Sequence, residues 1–199
     1  MPLSFLSSAS WHNEPTRWTF HPHALSLVAE PKSDFWRETD HGSHPDSGHF
    51  FAVPCQGDFA AIAEFTGQYD VLYDQVGLMM RVDRTHWVKC GVEYFDRATN
   101  YTTVVTQGSS DWSAVPCPTL SGPQAVRLVR KGNIIYTHYK DRSGSWRLMR
   151  LANFEAPEEV LIGPMACSPL RDISELKGFQ CSFSHFSITD APDDPLHDR

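Results

Sequence analysis

Apolar and polar positions alternate with a period of two along most of this chain, the spacing at which successive side chains of a β-strand point to opposite faces. "HFFAVPC" (49–55) opens the series, and in "DFAAIAEFTG" (58–67) Phe59, Ala61, Ala63 and Phe65 share one face. Further runs are "VLYDQVGLMMRVD" (71–83), "HWVKCGVEYF" (86–95), "YTTVVTQ" (101–107), "AVRLVRK" (125–131), "NIIYTHYK" (133–140), "WRLMRLANF" (146–154) and "FQCSFSHFSIT" (179–189). Turn-forming residues separate them at "ATN" (98–100), Gly132-Asn133 and "DRSGS" (141–145). "SPLRDISELKG" (168–178) is the best helix candidate, with Leu170, Ile173 and Leu176 on one face and Gly178 as C-cap. The pattern predicts an all-β sandwich of at least eight strands and one short helix. Residues 1–189 are expected to form one domain, with the Pro-rich and polar 190–199 as a flexible tail.

The runs 71–83 and 86–95 divide most informatively. Val76, Leu78, Met80 and Val82, with Val88, Cys90, Val92 and Tyr94, form the core face. Gln75, Gly77, Met79 and Arg81 lie on the other, with Trp87, Lys89, Gly91 and Glu93. A short hairpin through Asp83-Arg84-Thr85 opposes Gln75 to Glu93, Gly77 to Gly91, Met79 to Lys89 and Arg81 to Trp87. The longer register sets Arg81 against Lys89 and is disfavoured by like charge. Paired interior glycines mark either a close approach to the backbone, as on the floor of a groove, or a bulge on a solvated face where Lys89 and Glu93 form an ordinary ion pair.

Composition narrows the class. A 199-residue chain with 41% hydrophobic residues supports one buried core. A formal charge of −7 without a Lys/Arg-rich stripe argues against nucleic-acid binding. No window approaches the length of a membrane span, and the N-terminal stretch lacks a basic region and a long apolar core, so cytoplasmic residence is the expectation. Five cysteines (55, 90, 117, 167 and 181) without a C-x-x-C pair read as reduced and structural.

Six motifs together, "SDFWRETDHG" (33–42), "GHFF" (48–51), "YDQVGLMMRVD" (73–83), "HWVKCGVEYFD" (86–96), "VVTQGSSDWS" (104–113) and "ACSP" (166–169), resemble an uncharacterised-domain family of bacteria and fungi whose yeast member is described as a regulator of enolase. Similarity runs from about residue 10 to residue 189, nearly the whole chain. The resemblance implies a concanavalin A-like jelly-roll β-sandwich of two antiparallel sheets, whose concave face often binds glycans. The family's typical motif has a small residue where this chain has Val76, a core-face position with no bearing on the groove.

On such a face Trp36, Trp87 and Trp112 are candidate platforms for a sugar ring, each with core packing as its alternative, although parity sets Trp87 outside the core. Gln75, Lys89, Glu93 and Asp111 are candidate polar contacts. Asp111 reads equally as a turn residue in "SSDWS". The loop histidines His41 and His49 are further candidates for ligand contact; the spacing of His41, His44 and His49 matches no standard zinc pattern, so no metal is expected. Glu93 is the lone outward carboxylate of its strand, which excludes the E-x-D-x-E arrangement of hydrolases on this fold unless Asp74 or Asp111 is brought in by a loop. Three functions follow. The first is a protein binding a carbohydrate- or polyol-like small molecule in the groove; the second is a cofactor-independent isomerase, lyase or cyclase using Glu93 and Lys89 as base and acid. The third, implied by the resemblance alone, is a module interacting with a metabolic enzyme. No organic cofactor is required, for the chain holds no phosphate-cradling glycine loop, nucleophile elbow or paired thiols.

Overall fold

A computed structural model describes residues 8–21, 24–117, 122–174 and 177–197. Among the described residues the chain forms β1 (Ser10–His12), β2 (Trp18–His21), β3 (Ala24–Ala29), β4 (His49–Gln56), β5 (Phe59–Gly67), β6 (Gln75–Arg81) and β7 (His86–Phe95). These are followed by β8 (Ala98–Gln107), β9 (Ser109–Pro116), β10 (Gln124–Lys131), β11 (Ile134–Lys140), β12 (Trp146–Asn153), β13 (Glu159–Cys167) and β14 (Phe179–Thr189). One sheet has the order β1-β4-β13-β6-β7-β8-β9 and the other β12-β11-β10-β5-β14-β3-β2. Every pairing is antiparallel.

The core lies where the sheets face each other. Val76, Leu78, Met80, Val88, Cys90 and Val92 meet Ala61, Ala63, Phe65, Val126 and Leu128, so the alternation assigned the inner faces of β5, β6 and β7 correctly, save that Tyr94 at the end of β7 is only half-buried and outside this cluster. This is the concanavalin A-like jelly-roll β-sandwich that the motifs implied. Some strands had escaped the pattern. β13 carries Gly163 and Pro164 at its centre, residues that speak against a strand. It nevertheless pairs with β6 without a break from Leu161 to Cys167, while its register with β4 lapses at Gly163–Pro164, the positions that would disrupt a ladder. β9 begins with the polar "SSDWS" yet pairs with β8 along its whole length, so Asp111 sits on a strand and not in a turn. The turn expected at 98–100 lies instead at Asp96-Arg97, both with positive φ (53° and 60°) as a tight hairpin requires.

The helix expected at 168–178 is absent from its described residues, which form bends and turns; 175–176, including Leu176, lie outside them. Leu170 and Ile173 are exposed, so no core receives the apolar face. Arg171 is instead drawn inward, its Nη2 donating to Asp70 and, at 2.7 Å, to Asp74 Oδ2. Asp172 Oδ1 accepts the Ser174 amide at 2.8 Å, a local bond that competes with helix. In the tail, Lys131 Nζ donates to the carbonyls of Pro192 (3.3 Å) and Asp193 (2.7 Å). His138 Nε2 donates to Pro195 O at 3.0 Å, and Pro195 is buried.

Candidate functional site

The β6–β7 hairpin has the short register, with Gln75 opposite Glu93, Gly77 opposite Gly91, Met79 opposite Lys89 and Arg81 opposite Trp87. The glycines have a different cause from the one expected. A Cβ on Gly77 would overlap Cys90 O and stand 2.5 Å from Gly91 Cα, and one on Gly91 would overlap Val76 O. The two strands crowd each other, and the ladder shows no register shift. What approaches the backbone is the neighbouring strand.

The outer face of this sheet is roofed at one end. Residues 30–48 cross it, held by bridges from Pro31 and Ser33 to Ser168 and closed on themselves by one between Phe35 and Asp46. Phe35 drives into the face and forms a second apolar cluster with Phe50, Ala52, Met79, Trp87, Val104, Met165 and Cys167. Trp87 is therefore buried at 1% exposure, its ring 6.3 Å from that of Phe35. It faces outward from the strand, as parity required, but offers no platform to solvent. Arg81 is capped by both carboxylate oxygens of Asp46, at 2.8 and 3.0 Å. Lys89 donates to Phe35 O at 2.7 Å and lies 3.6 Å from Asp34 Oδ1 and 5.6 Å from the Trp87 ring centre. These bonds make Lys89 an anchor for the loop, which weighs against a role as mobile proton donor.

Beyond the roof the face opens into a cavity of about 710 Å³. Glu93, Gln75, Lys89 and Asp34 form its polar floor; Trp36, Trp112, Tyr73, His41 and Leu170 stand among its walls. The volume lies within the range of small-molecule sites. Trp112 packs its ring edge-on against Phe95 at 4.9 Å and donates from Nε1 to Glu93 Oε2 at 3.1 Å. Trp36 stacks parallel to His41, 6.2 Å between centres, and donates to Thr39 O at 2.8 Å. Ser110 ties the loop to β9, accepting the Arg37 amide on Oγ at 3.0 Å and donating its own amide to Arg37 O at 2.9 Å.

Glu93 is 7% exposed. Burial pushes its carboxyl from the ordinary 4.5 up to about 7; Lys89 opposes the shift, Asp34 adds to it, and hydrogen bonds from Trp112 and Thr102 oppose it. Gln75 Nε2 lies 3.5 Å from Glu93 Oε1 and 3.5 Å from Asp34 Oδ1, between the two carboxylates. Asp74 is fully buried and structural, accepting from Ser168 Oγ (2.5 Å) and Arg171 (2.7 Å).

Seven of the nine residues proposed from the sequence as ligand contacts open onto the cavity: Gln75, Lys89, Glu93, Trp36, Trp112, His41 and Asp111. Trp87 and His49 do not line it. His49 is buried behind the loop, with Nδ1 donating to Asn13 O (2.7 Å) and Nε2 accepting the Glu30 amide (3.0 Å), and burial lowers its pKa. Asp111 pairs with Arg150 at 2.6 Å. His44 turns to Glu38 at 2.6 Å, so the three loop histidines diverge; among the described residues no group of three or more metal-ligating side chains converges. Asp34, Tyr73, Thr39 and Leu170 were missed. Their lone signal was membership of the quoted motifs "SDFWRETDHG" and "YDQVGLMMRVD", which holds for Asp34, Thr39 and Tyr73 but not for Leu170.

Fold and cavity define a concanavalin A-like sandwich with a ligand-sized recess on the outer face of one sheet. The chain belongs to the family described as "Protein of unknown function (DUF1349)", whose model matches residues 11–191. It is 35% identical over 193 residues to "Regulation of enolase protein 1" of Saccharomyces cerevisiae, covering 97% of this chain and 95% of that protein. The crystal structure of a functionally unknown protein from S. cerevisiae superposes with a TM-score of 0.87 at 35% identity over 95% of this chain and 99% of that one. Carbohydrate binding module CBM66 from Bacillus subtilis shares the fold, with a TM-score of 0.57 at 12% identity over 90% and 95%.

Proposed function

We propose that the protein binds a carbohydrate- or polyol-like small molecule in the cavity above β6 and β7. The observation that carries this reading is the juxtaposition of two tryptophans and a tyrosine with a floor of buried Gln75, Glu93 and Lys89 and half-buried Asp34 in a single recess. Aromatic faces suit the C–H surface of a sugar ring, and a floor of paired donors and acceptors suits its hydroxyls. Glycan binding by a module of the same fold agrees with the reading. Thermal unfolding with neutral mono- and oligosaccharides and polyols tests it. A true ligand at 100 times its Kd stabilises by about 2.7 kcal/mol, and Trp112→Ala should weaken binding about tenfold or more. Absence of any shift across the panel, or unchanged affinity in the variant, would refute the assignment.

A second reading, a module acting on a metabolic enzyme, draws support from the name of the yeast relative and from exposed Leu72, Tyr73, Leu170 and Ile173 beside the cavity mouth. Direct titration against purified enolase tests it: affinity lost in Ile173→Asp and kept in Glu93→Gln favours the surface over the cavity.

A further inference from the structure

The sequence offered one outward carboxylate on β7, and the fold supplies a second from a distant segment. Asp34, on the 30–48 crossing, and Glu93, on β7, both line the cavity, and the Gln75 side-chain amide stands 3.5 Å from each. The two contacts set an upper bound of about 7 Å on the distance between their nearer oxygens, which does not exceed the roughly 9.5 Å limit over which paired carboxylates straddle a glycosidic bond. The two environments differ. Asp34 lies beside the Lys89 ammonium at 3.6 Å. Glu93 is enclosed by Gln75 of β6, Thr102 of β8 and Trp112 of β9, with Lys89 on its own strand, Cys167 of β13 and Asp34 as the remaining titratable groups around it.

We propose that this cavity hydrolyses O-glycosidic bonds, Glu93 giving a proton to the leaving oxygen and Asp34 taking one from the attacking water. This rests on the carbohydrate reading above and goes beyond it. In the step, the bond between the anomeric carbon and the glycosidic oxygen breaks and its electron pair leaves with the alcohol, which receives the Glu93 proton. The water oxygen bonds to the anomeric carbon as its proton passes to Asp34. Solvent exchange returns a proton from Asp34 to Glu93, so water is the sole co-reactant. Burial pushes the Glu93 carboxyl up to about 7, so it still carries a proton to give at near-neutral pH, as the acid of such a couple must. Lys89 is a positioning residue here, fixing Asp34 and the Phe35 carbonyl.

The test uses alkyl and 2,4-dinitrophenyl glycosides of glucose, galactose, mannose and xylose in both anomers, with thermal unfolding run on the same mixtures. Wild type should cleave at least one alkyl glycoside, with a rate that falls as pH rises through about 7. Glu93→Gln should lose at least about 100-fold on that substrate but far less on its dinitrophenyl counterpart, whose leaving group departs without a proton. Asp34→Asn should lose on both. No cleavage of any glycoside, or equal losses by Glu93→Gln on both leaving groups, overturns the proposal. Thermal shifts without cleavage leave the binding reading standing, and neither shift nor cleavage removes both.

Discussion

Glu93→Gln gives a thermodynamic test of the dry floor that is independent of any ligand. Burial raises the carboxyl from 4.5 to about 7, so the folded protein holds a proton that the unfolded chain has released. Where the native state binds more protons, stability falls as pH rises. The penalty is absent below about pH 4.5, grows between 4.5 and 7, and is complete above 7. At about 1.4 kcal/mol per pH unit, it amounts to about 3 kcal/mol at pH 8. Glutamine is neutral, close in shape, and still presents an oxygen to Trp112 Nε1, 3.1 Å from the native carboxylate. The variant should therefore match wild type to within about 1 kcal/mol at pH 5 and exceed it by about 3 kcal/mol at pH 8. Urea unfolding at pH 5, 6, 7 and 8 measures this without the screening that guanidinium would add. Other groups, such as Asp83, whose carboxyl is lowered to about 2, titrate alike in both proteins and cancel in the difference. Stability curves that run parallel from pH 5 to 8 would refute the reasoning. A buried carboxylate that destabilises at neutral pH is what a binding or catalytic role, and not folding, would retain.

Three further substitutions probe the architecture around the site. Asp74→Ala removes the fully buried carboxylate partner of Arg171 and should cost about 3–5 kcal/mol, whereas Asp70→Ala, whose side chain is 69% exposed, should cost less than about 1 kcal/mol; equal losses in urea melts would contradict this assignment. Gly77→Ala drives a Cβ into Cys90 O and should cost more than about 2 kcal/mol. Gly108→Ala, with φ +79° but open space around the Cβ, should cost about 1 kcal/mol, and the reverse ranking would mean that β6 and β7 are not crowded. Trp87→Ala empties the cluster under Phe35 and should cost about 3–5 kcal/mol by thermal or urea melts. Exposed Trp112→Ala should cost under about 1 kcal/mol, and a mild effect at Trp87 would mean the roof is loose.

The inner faces of β5, β6 and β7 were legible from alternation because the period of two belongs to the backbone itself. Val76, Leu78, Met80, Val88, Cys90 and Val92 could have no other common environment once the strand existed. The β6–β7 register was legible too, since a one-residue slip would flip every side chain and the longer alternative set Arg81 against Lys89. The same pattern correctly put Trp87, Lys89 and Glu93 on one outward face, and it told nothing about what lies above that face. Residues 30–48 return across it and bury Trp87 under Phe35, while Lys89, Glu93 and Gln75 remain on the floor of the recess.

The crowding of Gly77 against Gly91 belongs to the geometry between strands, and no local spacing encodes it. The helix at 168–178 failed for a related reason. Three apolar residues at helical spacing need a core to receive them, and here Arg171 found Asp70 and Asp74, about 100 residues earlier in sequence, before Leu170 and Ile173 found any cover. The sequence by itself determined most of the strands, the buried sides of β5, β6 and β7, and the lone acid on β7. Only the tertiary structure brought Asp34 to within a side-chain amide of Glu93 and made the site a recess. The covering of one face by a distant segment depends on where the whole chain returns, whereas the side a residue points to depends on its two neighbours.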